Sequence, residues 1–221
     1  MASLVAISSA PGTGSRRRLE PSERVPQILE AALAEFAERG YGGARMAAVA
    51  TRAGVAKGLV YHYFPSKPAL FLATVRACTQ PVFEAAERRL AEPGGDAAAV
   101  LRSLIGIAYD QACGGPRERA LFKLIIAEAE RVPELARFYR EEVLARATAV
   151  VDTVLRAGAA SGAFRPALAG LPGLAAVVLA PAIMAAVWHM ILGVADAPAP
   201  GPMARAQVEL LLAGLGADSN L

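Results

Sequence analysis

Between its glycines and prolines the chain sets apolar residues three and four apart almost throughout. No stretch alternates apolar and polar residues with the period of two that a strand needs. Such a pattern buries its apolar stripes only by packing helix on helix, so the fold class expected is all-α, with about nine helices. The first helix starts between Ser22 and Val25 and presents Val25, Ile28, Leu29, Ala32, Leu33, Phe36 and Ala37 on one face. It ends at Arg39, where Gly40 can take the left-handed closing conformation. A short second helix carries Met46, Val49, Ala50 and Ala53 on one side. Gly54-Val55 turns the chain tightly into a third helix over 56–63, which Phe64-Pro65-Ser66 stops.

A long fourth helix begins near Lys67, and Pro81 predicts a kink at 77–81 because it removes one backbone hydrogen bond and crowds the preceding turn. After a loop at 92–96, Asp96 is placed to cap a fifth helix ending near Cys113. Further helices are expected to Arg131, over 133–160, over 171–193 and over 203–212. The domain division expected is a basic arm at 1–20, a small helical unit at 21–67 and a larger helical unit at 68–221.

Charge separates these units. The 221 residues carry 23 Lys and Arg against 20 Asp and Glu, a net +3. Residues 1–68 hold nine basic and five acidic side chains, and from Arg39 to Lys67 there are five basic residues and no acid. A compact basic unit on a near-neutral remainder points to a polyanionic partner. Cys78 and Cys113 stand apart with no ligand-type neighbours in sequence, so neither a disulfide framework nor a metal site is expected, and a reducing cytoplasm suits them. No cofactor motif is present. The uncharged run from Ala167 to Ala195 is long enough to cross a bilayer, but Pro172, Pro181 and His189 interrupt it and no cationic cluster flanks it. It is read as a helix buried between protein neighbours, with a membrane-anchored regulator using 171–195 as the alternative and no membrane partner expected.

Two short helices joined by a glycine turn after a longer one make a helix-turn-helix, which pushes its second helix into the DNA major groove. On a wheel of residues 56–63, Ala56, Val60 and Tyr63 share one side, while Lys57, Gly58, Tyr61 and His62 share the other. Lysine neutralises phosphate, phenol and imidazole hydrogen-bond to phosphate or base edges, and glycine lets the backbone come close. The competing reading has Tyr61 and His62 as partly buried aromatics of a small core.

The run Gly40-Tyr41, Val49-Ala50, Ala53-Gly54-Val55, Lys57-Gly58, Tyr61-His62-Tyr63-Phe64 and Lys67 resembles the DNA-binding domain of the tetracycline-repressor (TetR) family over about residues 24–75. The resemblance implies a ligand-responsive repressor, binding a palindromic operator as a homodimer and released by a small-molecule effector. Helix three would be the recognition helix, with Lys57, Gly58, Tyr61, His62 and Tyr63 facing DNA and Lys67 holding a phosphate at the start of helix four. Arg45 stands where the family usually has a capping threonine or serine, and Ala56 where it usually has serine; each departure loses a cap of about 1 kcal/mol. Arg45 could restore a phosphate contact through its charge, and Leu59 could meet a thymine methyl.

For the larger unit the apolar helices at 171–193 and 203–215 suggest a four-helix dimer interface. Tyr109, Gln111, Phe122, Phe138, Tyr139, Met184 and Trp188 mix aromatic area with polar atoms, as an effector cavity would. An enzyme is the rival class, but no nucleophile–base pair, phosphate loop or metal cluster is legible. Glu128, Glu130 and Glu134 sit near one helix junction and are read as solvated surface.

Overall fold

The computed structural model describes residues 21–91 and 96–216. The expected arm over 1–20 and most of the 92–96 loop lie outside them. All regular structure among the described residues is helical: α1 (Pro21–Gly43), α2 (Met46–Arg52), α3 (Lys57–Tyr63), α4 (Lys67–Ala91), α5 (Ala97–Cys113), α6 (Pro116–Glu128) and α7 (Pro133–Phe138). A π-helical turn (Tyr139–Leu144) then leads into α8 (Ala145–Ala160), followed by α9 (Pro166–Ala169), α10 (Leu174–Leu192) and α11 (Pro200–Leu215).

Local chemistry explains most boundaries. Gly40 does adopt the left-handed region (φ 66°), which ends the regular part of α1, and residues 41–43 add one further turn beyond it. Asp96 caps α5 by accepting from the Ala98 amide at 3.1 Å. Pro81 does not split α4, which continues through it as one element of 25 residues. The segment expected as one helix over 133–160 is continuous, yet its hydrogen-bond register slips at the π-turn.

Two hydrophobic cores result. The first joins α1, α2, α3 and the start of α4 to α6 and α7, around Phe36, Val49, Val60, Leu70, Phe71 and Leu135. Phe36 and Phe71 meet edge-to-face at 4.8 Å between centroids, and Tyr41 lies 4.9 Å from Phe71. The second joins the end of α4 to α5, α8, α10 and α11, and is rich in alanine. Most of α10 packs on α5, burying Ala175, Val178, Ala182, Ala185, Ala186 and His189. By length and composition α10 is apolar enough to cross a bilayer, and its opposite face, with Val177, Met184 and Ile191, is exposed.

Candidate nucleic-acid interface and effector cavity

The turn between α2 and α3 is built by backbone. The Val55 amide donates to the Ala50 carbonyl at 3.0 Å, and Gly54 takes φ 64°, a conformation strained for a residue with a Cβ. That turn directs one side of α3 inward: Val60 is fully buried and Phe64 closes the helix into the first core. Lys57, Gly58, Tyr61 and His62 are exposed together on the other side, with Tyr61 43% accessible. The core-aromatic alternative for Tyr61 and His62 does not hold. Leu59 and Tyr63 are half-buried at the edges of the face, so neither is as outward as the recognition-helix pattern implies.

Gly58 is informative because the fold itself does not require it. An added Cβ would meet no heavy atom within 4 Å, and φ is not positive. Glycine in a helix costs about 1 kcal/mol relative to alanine. The bare backbone therefore leaves room for something outside the chain. Beside it, the Lys57 ammonium sits 5.7 Å from the centroid of the Tyr61 ring.

The cations expected in this region divide into two groups. Arg52 is bound to Glu38 through two hydrogen bonds at 3.0 and 2.6 Å, which holds the Glu38 carboxyl below the usual carboxylate range. Lys67, expected to hold phosphate, instead donates to the carbonyls of Tyr41 (2.7 Å), Gly42 (3.2 Å) and Ala44 (3.2 Å), and its ammonium lies over the Tyr41 ring. An ammonium has three donors and all three have acceptors here, so Lys67 braces the α1–α2 corner at the position where the family pattern implies a phosphate contact. Arg45 and Lys57 are exposed, and neither side chain pairs with a carboxylate among the described residues, although the Arg45 amide donates to Glu35 Oε1 at 3.4 Å. Arg45 provides no side-chain cap to α2, as its identity implies.

A cavity of about 150 Å³ opens among α4, α5, α6, the π-turn, α8 and α10. Of the seven candidate effector residues it is lined by Gln111, Phe122 and Tyr139. The other four are elsewhere. Tyr109 is buried in the second core with its hydroxyl unpartnered, and Phe138 belongs to the first core beneath the Arg76 guanidinium. Met184, 45% exposed, points away on the outer face of α10, and Trp188 is half-buried on the same helix. Sequence reasoning missed Glu118, a carboxylate in a wall that is otherwise almost wholly apolar, together with Leu121 and Ile125 one and two turns along α6. Their i, i+3, i+7 spacing marks an apolar helix face, but a face turned to a cavity reads the same as a face turned to core. Tyr139, Val143 and Leu144 of the π-turn also line the cavity, so the register slip falls at its wall. Burial raises the Tyr139 phenol above its ordinary range.

Residues 28–74 match the family model for bacterial regulatory proteins of the tetR family, and residues 100–213 match that for the C-terminal domain of AefR-like transcriptional repressors. The chain belongs to the TetR family. It is 30% identical over 125 residues to the HTH-type transcriptional regulator BetI of Stenotrophomonas maltophilia, which is 57% of this chain and 63% of that protein. The matches to these BetI proteins thus span 44 to 63% of those relatives' lengths. A TetR-family regulator from Mesorhizobium loti superposes with a TM-score of 0.69 at 27% identity, over 88% of this chain and 98% of that one. The FadR regulator of Bacillus subtilis, solved with stearoyl-CoA, shares the fold with a TM-score of 0.66 at 22% identity, over 86% and 98%. This TetR-family chain is therefore a DNA-binding transcriptional regulator and not an enzyme.

Proposed function

We propose that this regulator represses by binding a palindromic operator as a homodimer through α3, and that a small molecule in the cavity releases it. One observation carries the DNA half: a polar, cationic face of Lys57, Gly58, Tyr61 and His62 stands clear of a core that is complete without it. Arg45 flanks this face, while Leu59 and Tyr63 border it. Selection of bound fragments from random DNA tests it; Tyr61→Ala should weaken binding to the selected site about tenfold without lowering thermal stability. Undiminished affinity would refute the assignment.

The cavity suits a largely apolar effector with a hydrogen-bonding or cationic end directed at Gln111, Glu118 or Tyr139. FadR, which shares the fold, was solved in complex with stearoyl-CoA, a molecule with a long apolar body. Titration with palmitoyl-CoA and with dodecyltrimethylammonium, followed by tryptophan fluorescence and operator release, separates the acyl from the cationic class.

The homodimer reading rests on Val177, Met184 and Ile191, seven residues apart on the outer face of α10, and on Leu210 of α11. Such a stripe on two copies gives a four-helix contact. Two-fold symmetry then sets the recognition helices about 34–36 Å, or a multiple, apart. Ile191→Glu should convert a dimer to monomer in light scattering. The alternative, α10 as a membrane anchor, predicts that the purified chain floats with lipid vesicles. For release, α4 begins beside the head and contributes Thr79, Val82, Phe83 and Ala86 to the cavity, so an occupant that tilts it would change the spacing of the two α3 helices. Equal spacing in free and ligand-bound structures would sink this mechanism.

A further inference from the structure

Glu128 is a second, shorter connection between the cavity and the head. It ends α6, is only 7% exposed, and its Oε1 accepts a hydrogen bond from the Tyr41 amide at 2.8 Å, 87 residues away in sequence. Burial corrects the expectation that this carboxylate is solvated surface. A buried carboxylate is costly unless hydrogen-bonded, so the position is specific. The receiving backbone is shaped for it: at Gly40, with φ 66°, an added Cβ would lie 2.9 Å from the Glu128 Oε1. The same α6 lines the cavity with Leu121, Phe122 and Ile125, the last only three residues before Glu128. On the other side, Tyr41 is bound into the head by Lys67, which ties its carbonyl to those of Gly42 and Ala44, and by the Phe71 ring. Ala44 is the last residue before Arg45 and α2.

We infer that Glu128 is a latch through which occupation of the cavity acts on the DNA-reading head, a positioning residue for operator binding that rests on the ligand-release reading above. A helix moves as a rigid rod, and an occupant pressing on Phe122 and Ile125 carries Glu128 with it. Hydrogen bonds of this kind persist only between about 2.7 and 3.2 Å, so a displacement of under about 1 Å releases the Tyr41 amide. Release frees the α1–α2 corner, and α3 with it. The device is bistable: bond made or bond broken.

Ala108 lies on the cavity wall, and Ala108→Phe serves as a built-in occupant that needs no identified ligand. With Glu128 intact, this substitution should lower affinity for the selected operator on the order of tenfold, within the usual range of allosteric coupling. It should also speed hydrogen exchange at the Tyr41 amide while the Phe36 amide stays protected. In a Glu128→Ala background the operator ratio should collapse to about one, and Glu128→Gln, which keeps an acceptor oxygen, should retain it. A ratio unchanged by Glu128→Ala, or a Tyr41 amide whose exchange is unmoved while affinity falls, overturns the latch. No affinity loss from Ala108→Phe with Glu128 intact refutes the ligand-release reading itself, and the latch with it.

Discussion

The two cores of this molecule are built differently. The first is closed around large rings, Phe36, Tyr41 and Phe71, and fully buried aliphatics from five helices, with Lys67 and Glu128 fixing the corner that follows the left-handed Gly40. The second sets more alanines, Ala112, Ala182, Ala185 and Ala186 among them, beside Tyr109, Leu155 and Phe164, and leaves a cavity at its junction with the first. Large side chains interdigitate to crystal-like density, whereas alanine faces bring helices close without filling every gap between them. The difference teaches where rigidity and adaptability reside: the part that must hold a groove-reading angle is packed tightly, and the part facing the cavity has space to give.

Substitutions should expose that contrast. Phe71→Ala, at the centre of the first core, should cost about 3–5 kcal/mol in urea unfolding, since a cavity there cannot be relaxed by flexible neighbours. Overpacking should separate the cores more sharply. Ala32→Phe, at a fully buried position of the first core, should cost about 1–3 kcal/mol or more, while Ala108→Phe should leave stability unchanged or raise it by about 0.5–2 kcal/mol. Equal destabilisation by the two would show that the cavity is not real room. Lys67→Ala should destabilise by about 1–3 kcal/mol, measured by thermal melting, because three carbonyls lose a charged donor. A pure loss of operator affinity with unchanged melting would assign Lys67 to phosphate rather than to the corner.

The smallest effect lies at the seam between α4 and the π-turn. Arg76 binds Glu142 through two hydrogen bonds at 2.8 and 2.6 Å, and this guanidinium lowers the Glu142 carboxyl below its ordinary range. A carboxyl lowered in the folded state stabilises above its unfolded pKa and loses that contribution as pH falls through the folded value. Both side chains are about half exposed, so Glu142→Gln should remove less than about 1 kcal/mol at pH 7, and progressively less as pH falls through the folded value, in paired melts.

Much of the head was legible before any coordinates. Gly40 announced its left-handed position and Gly54 a tight turn, and the wheel of α3 separated Val60 from Lys57, Gly58, Tyr61 and His62 as the fold does. Lys67 was legible only in part: its type and place suit phosphate, while the carbonyls it also meets lie 23 to 26 residues earlier. The effector residues were harder. Aromatic identity selected Tyr109, Phe138, Met184 and Trp188, yet the cavity is defined by which helix faces fail to meet, and no single helix encodes that. Glu128 was hidden for the same reason: its burial comes from α6 crossing the end of α1.

The sequence alone determined the all-helical class, the place of the main helices, the glycine turn and the outward face of α3, because these follow from local periodicity and from the φ freedom of glycine. Only the tertiary structure decided which cations stay free for a partner, where the cavity opens and that a carboxylate of α6 holds the Tyr41 amide. Those outcomes depend on contacts between segments far apart in the chain, which local pattern does not record.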